Sequence, residues 1–151
     1  MKRSKYDALK LENQLCFPLY ACSREVIKLY KPCLDEIDLT YTQYITMMVL
    51  WERRCVSVKE LGMCLHLDSG TLTPLLKKLE AKGMLNRKRS EEDERSLLVT
   101  LTEAGEKLRD RAVDIPAKMA QSCCLNAEET QTLYGLLYKL LASTVQDQDQ
   151  E

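Results

Sequence analysis

The first third of the chain carries apolar residues at helical spacing. One helix face is marked at i, i+4, i+7 and i+11 by Leu15, Leu19, Cys22 and Val26. This pattern predicts a long first helix that begins near residue 8. Pro18 should kink that helix or mark a local break, because proline has no N–H to donate. The helix should end before Pro32, since the residue preceding a proline is displaced from the α region.

A second helix is predicted over about 42–52, with Thr40 as its N-cap. Its apolar residues lie on more than one side, which is typical of a central buried helix. Ser57 and Glu60 then have the spacing of a capping box. We expect this box to open a short helix that ends near Leu65.

Leucines at i, i+3, i+4 and i+7 predict another helix over about 68–82. Gly83 should end it at the C′ position. Asp68 is the expected N-cap, and Pro74 then lies inside the helix. Either the first turn is irregular, or the cap is nearer Thr71.

The periodicity changes after this helix. Residues 84–89 predict a strand of poor alternation, 90–94 a charged turn and 97–101 a second strand, which together make a hairpin. Thr102 should cap a further helix, bent at Pro116. The apolar face of that helix is formed by Leu108, Ala112, Ile115 and Met119.

Asn126 followed by Glu129 indicates the start of the last helix. The apolar face of this helix is formed by Leu133, Leu136, Leu137, Leu140 and Leu141. The polar tail 146–151 is expected to fray. The predicted order is four helices, a hairpin and two helices, a mostly α (α+β) fold.

Composition limits the class of protein and its compartment. The chain has 151 residues, 45% hydrophobic and 30% charged, which suits a single domain. Its longest uncharged run, 39–51, is too short to cross a bilayer, and the N-terminus lacks the apolar segment of a secretory signal. We therefore expect no membrane association and a cytoplasmic location. The seven cysteines, an odd number, are expected to be reduced thiols.

Helices 57–65 and 68–82, with the hairpin 84–101, have the pattern of a winged helix-turn-helix. A helix fits the major groove of B-DNA, so the second helix would direct its first turn to the base edges. That turn carries the short hydroxyls of Ser69, Thr71 and Thr73. Gly70 permits close approach of the backbone to a phosphate.

A net charge of −1 means that DNA binding requires the positive charge to be gathered on one face. The basic residues expected to contact phosphates are Lys77, Lys78, Lys82, Arg87, Lys88 and Arg89. Arg95 lies near the hairpin tip, where a guanidinium can enter a narrow minor groove. The tip also carries acids, of which Asp93 is suited to orient Arg95 through a charge-assisted hydrogen bond. Lysines on a helix are equally typical of a solvated face.

Two stretches resemble a known family. The recognition helix and wing of the MarR family are closely matched by residues 67–105, LDSGTLTPLLKKLEAKGMLNRKRSEEDERSLLVTLTEAG. The N-terminal part of its organic-hydroperoxide-sensing branch, the OhrR type, is matched by residues 12–52, ENQLCFPLYACSREVIKLYKPCLDEIDLTYTQYITMMVLWE. The resemblance covers about residues 10–120.

The resemblance implies a homodimer that binds double-stranded DNA at a pseudo-palindromic operator. The first and last helices of the chain, residues 1–36 and 103–145, would form the dimer. Residues 40–101 would form the DNA-binding region, and residues 146–151 would be a flexible tail. Arg95 matches the wing arginine that enters the minor groove. The acidic residue that steadies the wing is matched by Asp93.

In the same resemblance, Cys16 matches the peroxide-sensing cysteine of the LCF motif. Pro18, in the stretch LCFPLY, is a departure, because other members usually have a non-proline residue there. The phenols that support its thiolate match Tyr30 and Tyr41, and Tyr20, one turn from Cys16, is a further thiolate-supporting candidate. Oxidation by organic hydroperoxide gives a sulfenic acid, which a second thiol traps as a disulfide. The resolving candidates, contributed by the other subunit, are Cys123 and Cys124.

The implied function is a repressor that leaves its operator when Cys16 is oxidised. Release by a small aromatic ligand or by an electrophile is the alternative. Metal sensing and a thiol peroxidase are less favoured, because no C-x-x-C or βαβ pattern occurs and His66 is the sole histidine. We expect no enzyme and no cofactor. A packing role is expected for Cys22, Cys33, Cys55 and Cys64.

Overall fold

The computed structural model describes residues 4–93 and 95–145, without the side chain of Val145. Within these residues the α-helices are α1 (Cys16–Glu36), α2 (Tyr41–Arg53), α3 (Val58–Leu65), α4 (Ser69–Ala81), α5 (Glu103–Ala112), α6 (Ile115–Gln121) and α7 (Ala127–Val145). The strands are β1 (Cys55–Ser57), β2 (Leu85–Arg89) and β3 (Leu97–Leu101). The predicted tail 146–151 and Glu94 of the predicted turn lie outside the described residues.

The first helix differs from the prediction at both ends. Residues 7–13 form two separate 3₁₀ turns, and α1 begins at Cys16 rather than near residue 8. Pro18 therefore lies in the first turn of α1 and not in the middle of a longer helix. It is the third helical residue, where a backbone N–H has no helical acceptor to lose. At the other end α1 continues through Pro32, and buried Leu34 and Ile37 pack this end into the core.

The predicted apolar stripe of α1 is largely exposed in the single chain. Leu15 is 71% exposed and Val26 is 48% exposed, whereas Leu34, two turns further along, is 3% exposed. The spacing identified a helix correctly, but the core of this chain is contacted by the C-terminal end of α1.

Helix α2 is the central helix, as predicted. Thr40 and Gln43 form its capping box, and its inward side chains are almost completely buried. The Trp51 indole N–H donates a hydrogen bond of 2.8 Å to the Gly105 carbonyl. A Cβ on Gly105 would lie 2.1 Å from the Met84 carbonyl oxygen, so this glycine allows α5 to approach the turn before β2.

The helix-turn-helix has the caps that the sequence predicts. Ser57 and Glu60 cap α3, and Asp68 caps α4. Pro74 therefore lies inside α4, which answers the open question about its start. Gly83 adopts φ +74°, and its neighbour Met84 donates to the Leu79 carbonyl, which completes a Schellman motif.

The predicted hairpin is present as β2 and β3, but it belongs to a three-stranded antiparallel sheet of order β1-β3-β2. Strand β1 was not predicted, because three residues are too few to show alternation. Val56 of β1 pairs with Val99 of β3, and both are buried. The sheet thus joins the start of the helix-turn-helix to the end of the hairpin.

The helix predicted after Thr102 is two helices. Helix α5 ends at Ala112 and α6 begins at Ile115, so Pro116 lies in the first turn of α6 instead of bending a continuous helix. Residue contacts divide the chain into one unit up to Ala117 and a second from Lys118.

In the second unit, Asn126 and Glu129 exchange capping hydrogen bonds of 2.9 and 3.0 Å at the start of α7, as predicted. The large apolar side chains of α7 that the structure describes, residues 127–144, are all at least 36% exposed. No helix of the described residues is long and apolar enough to cross a membrane.

Candidate DNA interface and redox cysteines

The first turn of α4 presents three exposed hydroxyl side chains, as predicted: Ser69, Thr71 and Thr73. The Asp68 carboxylate accepts the backbone N–H of Thr71 at 2.8 Å and its hydroxyl at 3.1 Å. These hydrogen bonds hold the pKa of Asp68 below its usual range. Because the hydroxyl proton of Thr71 is directed to Asp68, its oxygen faces outward as an acceptor.

The two faces of α4 have opposite character. The inward face is formed by four buried leucines, Leu72, Leu75, Leu76 and Leu79. Lys77 and Lys78 are exposed on the other side. The leucines fix how the helix is rotated, and so the hydroxyls and lysines are presented to solvent together.

Arg87 differs from the other basic residues predicted to contact phosphate. Its guanidinium binds the Glu80 carboxylate at 2.7 and 3.1 Å, and its backbone N–H donates to the same carboxylate at 3.0 Å. The Arg87 side chain is 19% exposed, and its hydrogen bonds lower the pKa of Glu80. Arg87 therefore joins β2 to α4, and its role as a phosphate contact stays a prediction.

Lys82 is also engaged within the chain. Its ammonium lies 3.0 Å from the Asp38 carboxylate and donates to the Asp38 carbonyl as well. Lys88 and Arg89 are exposed on β2. The basic side chains exposed on α4 and the hairpin are Lys77, Lys78, Lys88, Arg89 and Arg95.

The hairpin tip is ordered by hydrogen bonds to the backbone. Asp93 accepts the backbone N–H of Arg95 at 3.0 Å, and the Ser90 N–H donates to the Ser96 carbonyl at 2.8 Å. Asp93 thus binds the backbone amide of Arg95 and fixes the backbone at this position. Arg89, Arg95, Ser96 and Leu97 line an open concavity of about 340 Å³. Arg95 itself is exposed.

Cys16 is the first residue of α1 and is exposed. Tyr20, one turn along, accepts a 2.7 Å hydrogen bond from Arg24, whose guanidinium also lies over the ring. The Tyr20 hydroxyl is therefore directed along the helix to Arg24 and away from Cys16.

Tyr30 and Tyr41 lie together, with ring centroids 5.0 Å apart, and Tyr44 lies 6.0 Å from Tyr30. Sequence reasoning missed Tyr44, although its i, i+3 spacing from Tyr41 on α2 is a signal for a shared face. Burial, and then proximity to Tyr41, raises the pKa of Tyr30, so its phenol stays protonated as an O–H donor. We name Tyr30, Tyr41 and Tyr44 the tyrosine cluster.

The single chain does not bring Cys16 to the tyrosine cluster. Tyr30 lies fourteen residues further along the continuous helix α1, which at about 1.5 Å per residue is about 21 Å. A contact between the Cys16 thiol and these phenols therefore requires a second copy of the chain.

Cys123 and Cys124 are exposed and lie between α6 and α7. The packing role predicted for four other cysteines is wrong for three of them in the single chain. Cys33 is half-buried, whereas Cys22, Cys55 and Cys64 are exposed, because they lie on sides of their elements that face away from the core.

A helix-turn-helix followed by a two-stranded wing defines the winged-helix class of transcription regulators. Residues 28–112 match the family model described as transcriptional regulator SarA/Rot. The organic hydroperoxide resistance transcriptional regulator of Bacillus subtilis is 52% identical over 138 residues, covering 91% of this chain and 94% of that protein. The chain belongs to the MarR family of transcriptional regulators, in its organic-hydroperoxide branch, as the resemblance implied.

Solved structures agree with this assignment. Reduced AbfR bound to DNA superposes with a TM-score of 0.76 at 33% identity, covering 94% of this chain and 99% of that one. Disulfide-formed AbfR gives a TM-score of 0.62 at 35% identity, covering 91% and 96%. AbfR is a protein of Staphylococcus epidermidis.

Proposed function

We propose that this chain is a DNA-binding repressor that releases its operator when an organic hydroperoxide oxidises Cys16. One observation carries the DNA-binding part. The hydroxyl-bearing first turn of α4 is exposed, and the Glu80–Arg87 pair fixes the wing strand β2 beside the same helix. A helix and a wing in fixed relation suit simultaneous contact with a major groove and an adjacent minor groove.

Residues 40–101 form the DNA-binding region in this proposal. Ser69, Thr71 and Thr73 face base edges, whereas phosphates are contacted by Lys77, Lys78, Lys88 and Arg89. Arg95 enters the minor groove from the hairpin tip, on backbone that Asp93 holds in place. The regulator is cytoplasmic, where reduced thiols are available for sensing.

The repressor acts as a homodimer built from residues 1–36 and 103–145. Exposed apolar side chains on both parts support this arrangement, because monomeric proteins rarely leave such surfaces uncovered. On α1 and before it these residues include Leu15, Phe17, Val26, Ile27 and Leu29. On α7 they include Leu133, Leu136, Leu137, Leu140 and Leu141. The two-fold axis makes the operator a pseudo-palindrome.

The sensor is shared between subunits. The thiolate of Cys16 is supported by Tyr30 and Tyr41 of the partner subunit, since about 21 Å of helix separates Cys16 from its own Tyr30. The peroxide gives a Cys16 sulfenic acid, which Cys123 or Cys124 of the partner subunit traps as a disulfide. The relative AbfR has been solved both in reduced form on DNA and in disulfide form, which supports control by this bond.

A DNA gel shift with and without cumene hydroperoxide tests the proposal, with non-reducing gels run on the same samples. The probe is a duplex selected from a random-sequence pool by repeated binding to the reduced protein. We expect tight, salt-sensitive binding that peroxide abolishes, and a Cys16→Ser protein that stays bound. Cys55→Ser, an exposed cysteine of β1 to which the proposal gives neither a dimer nor a DNA contact, is the matched control and should behave as wild type. Release of the Cys16→Ser protein by peroxide contradicts the proposal.

A further inference from the structure

Cys123 and Cys124 are adjacent, and both are exposed in the segment 122–126 that separates α6 from α7. This segment has no helix or strand assignment. The backbone N–H of Cys123 donates to the Ala120 carbonyl at 3.2 Å, and Asn126 caps α7. Two accessible thiols therefore stand side by side on irregular backbone between two helices.

The proposed function uses one thiol of this pair and leaves the other unused beside the new disulfide. A thiol one residue from a disulfide sulfur has a very high effective concentration for exchange. Closing a disulfide between neighbours requires the local backbone to adjust, because consecutive Cα atoms are about 3.8 Å apart and disulfides prefer about 4.4–6.8 Å. Irregular backbone permits that adjustment more readily than a helix does.

We propose that Cys123 and Cys124 act as a vicinal dithiol that takes over the disulfide from Cys16, an inference that rests on the proposed function. The hydroperoxide oxidises the Cys16 thiolate to a sulfenic acid and leaves as an alcohol. One thiol of the partner's pair condenses with the sulfenic acid, so that an S–S bond forms and water leaves.

The second thiol of the pair then attacks the sulfur of its neighbour. The bond to Cys16 breaks, the Cys123–Cys124 bond forms, and Cys16 leaves as a thiolate while the attacking thiol gives its proton to solvent. The balance is one hydroperoxide and two thiols consumed, with one alcohol, one water and one vicinal disulfide formed.

This exchange makes the response depend on dose. The first equivalent of oxidant per subunit releases DNA only until Cys16 is regenerated, with no external reductant. A second equivalent finds no resolving thiol, so it oxidises Cys16 without forming a new cross-link to the partner subunit.

The test follows the full-length dimer after one equivalent of cumene hydroperoxide per subunit. Samples are quenched with an alkylating agent, digested with trypsin and analysed by mass spectrometry. The two cysteines fall in one peptide, residues 119–139. We expect the cross-link to Cys16 to appear first and then decline, while peptide 119–139 becomes lighter by two hydrogens and Cys16 becomes alkylatable again.

Two variants and a control make the outcome decisive. One of the variants Cys123→Ser and Cys124→Ser keeps the thiol that traps Cys16 and lacks the thiol that attacks next. In this variant the cross-link to Cys16 should last several-fold longer than in wild type. Ser122→Ala should match wild type. A wild-type cross-link that persists as long as in that variant overturns the exchange. Equally fast formation of the vicinal disulfide in Cys16→Ser also overturns it. Absence of any Cys16 oxidation overturns the proposed function itself, which distinguishes the two failures.

Discussion

At the scale of single residues, hydrogen-bond partners divide the basic side chains into two groups. Arg87 and Lys82 bind carboxylates of their own chain, Glu80 and Asp38, at 2.7 and 3.0 Å. Each charge is thus paired with an opposite charge of the same chain. Lys77, Lys78, Lys88 and Arg95 are exposed on α4 and the hairpin. A chain with a net charge of −1 can thus present a locally positive surface to DNA.

Replacing Arg95 by alanine should weaken operator binding about tenfold or more, the usual effect of losing a groove contact. The melting temperature should stay unchanged, because Arg95 is exposed. Fluorescence anisotropy with a labelled operator measures the first quantity. Arg109→Ala, which removes an equal charge from α5, is the control. Equal losses in both variants would mean that Arg95 acts only through net charge.

The Glu80–Arg87 pair predicts a pH dependence of stability. Its hydrogen bonds lower the pKa of Glu80 in the folded state. The stabilisation is therefore present above the unfolded pKa, about 4.3, and is lost as the pH falls through the folded value. Wild type should exceed Glu80→Gln in urea midpoint at pH 7, and the difference should shrink below about pH 4. A difference that grows on acidification would contradict this assignment.

At the scale of elements, local chemistry was predictable and tertiary pairing was not. The caps at Thr40, Ser57, Asp68 and Asn126 depend on side chains within three residues, so the sequence predicts them. Strand β1 exists because it pairs with β3, more than forty residues away.

The DNA interface and the tyrosine cluster show the same division between predictable local features and unpredicted tertiary contacts. The exposed hydroxyls of α4 follow from helix periodicity, which places the leucines inward. The engagement of Arg87 by Glu80 could not be read from the sequence, because it depends on how β2 returns against α4. Tyr44 joins its cluster for a similar reason, since α1 must pack on α2 before the rings meet.

Gly105 tests the packing between elements. A Cβ at this position would lie 2.1 Å from the Met84 carbonyl oxygen, so Gly105→Ala must move α5 or the turn before β2. We expect a loss of about 1–3 kcal/mol or more in the free energy of unfolding, measured by urea denaturation. Ala104→Ser, an exposed neighbour that also gains one heavy atom, should change stability by less than about 0.5 kcal/mol. Equal stability of both variants would show that α5 is packed differently.

At the scale of the whole molecule, the proposed sensor requires two subunits. Mixed dimers test this directly, with one subunit carrying Cys16→Ser and the other carrying Tyr30→Phe and Tyr41→Phe. This dimer keeps one complete site, because the intact Cys16 faces the intact tyrosines of its partner. It should react with hydroperoxide faster than a dimer that pairs wild type with a subunit carrying all three changes. Cys123 and Cys124 are left unaltered in every subunit. The oxidation rates of the two dimers are measured by Cys16 alkylation. If the second dimer reacts faster, the tyrosines act in the same subunit as the thiol.

The central claim is that oxidation of Cys16 controls DNA occupancy. Both quantities can be followed in one titration, with anisotropy of a labelled operator for occupancy and mass spectrometry of alkylated peptides for Cys16. As cumene hydroperoxide is added, we predict that the DNA-bound fraction falls in parallel with the reduced fraction of Cys16. Loss of DNA while Cys16 is still reduced would contradict the account, and so would full retention of DNA after Cys16 has been oxidised.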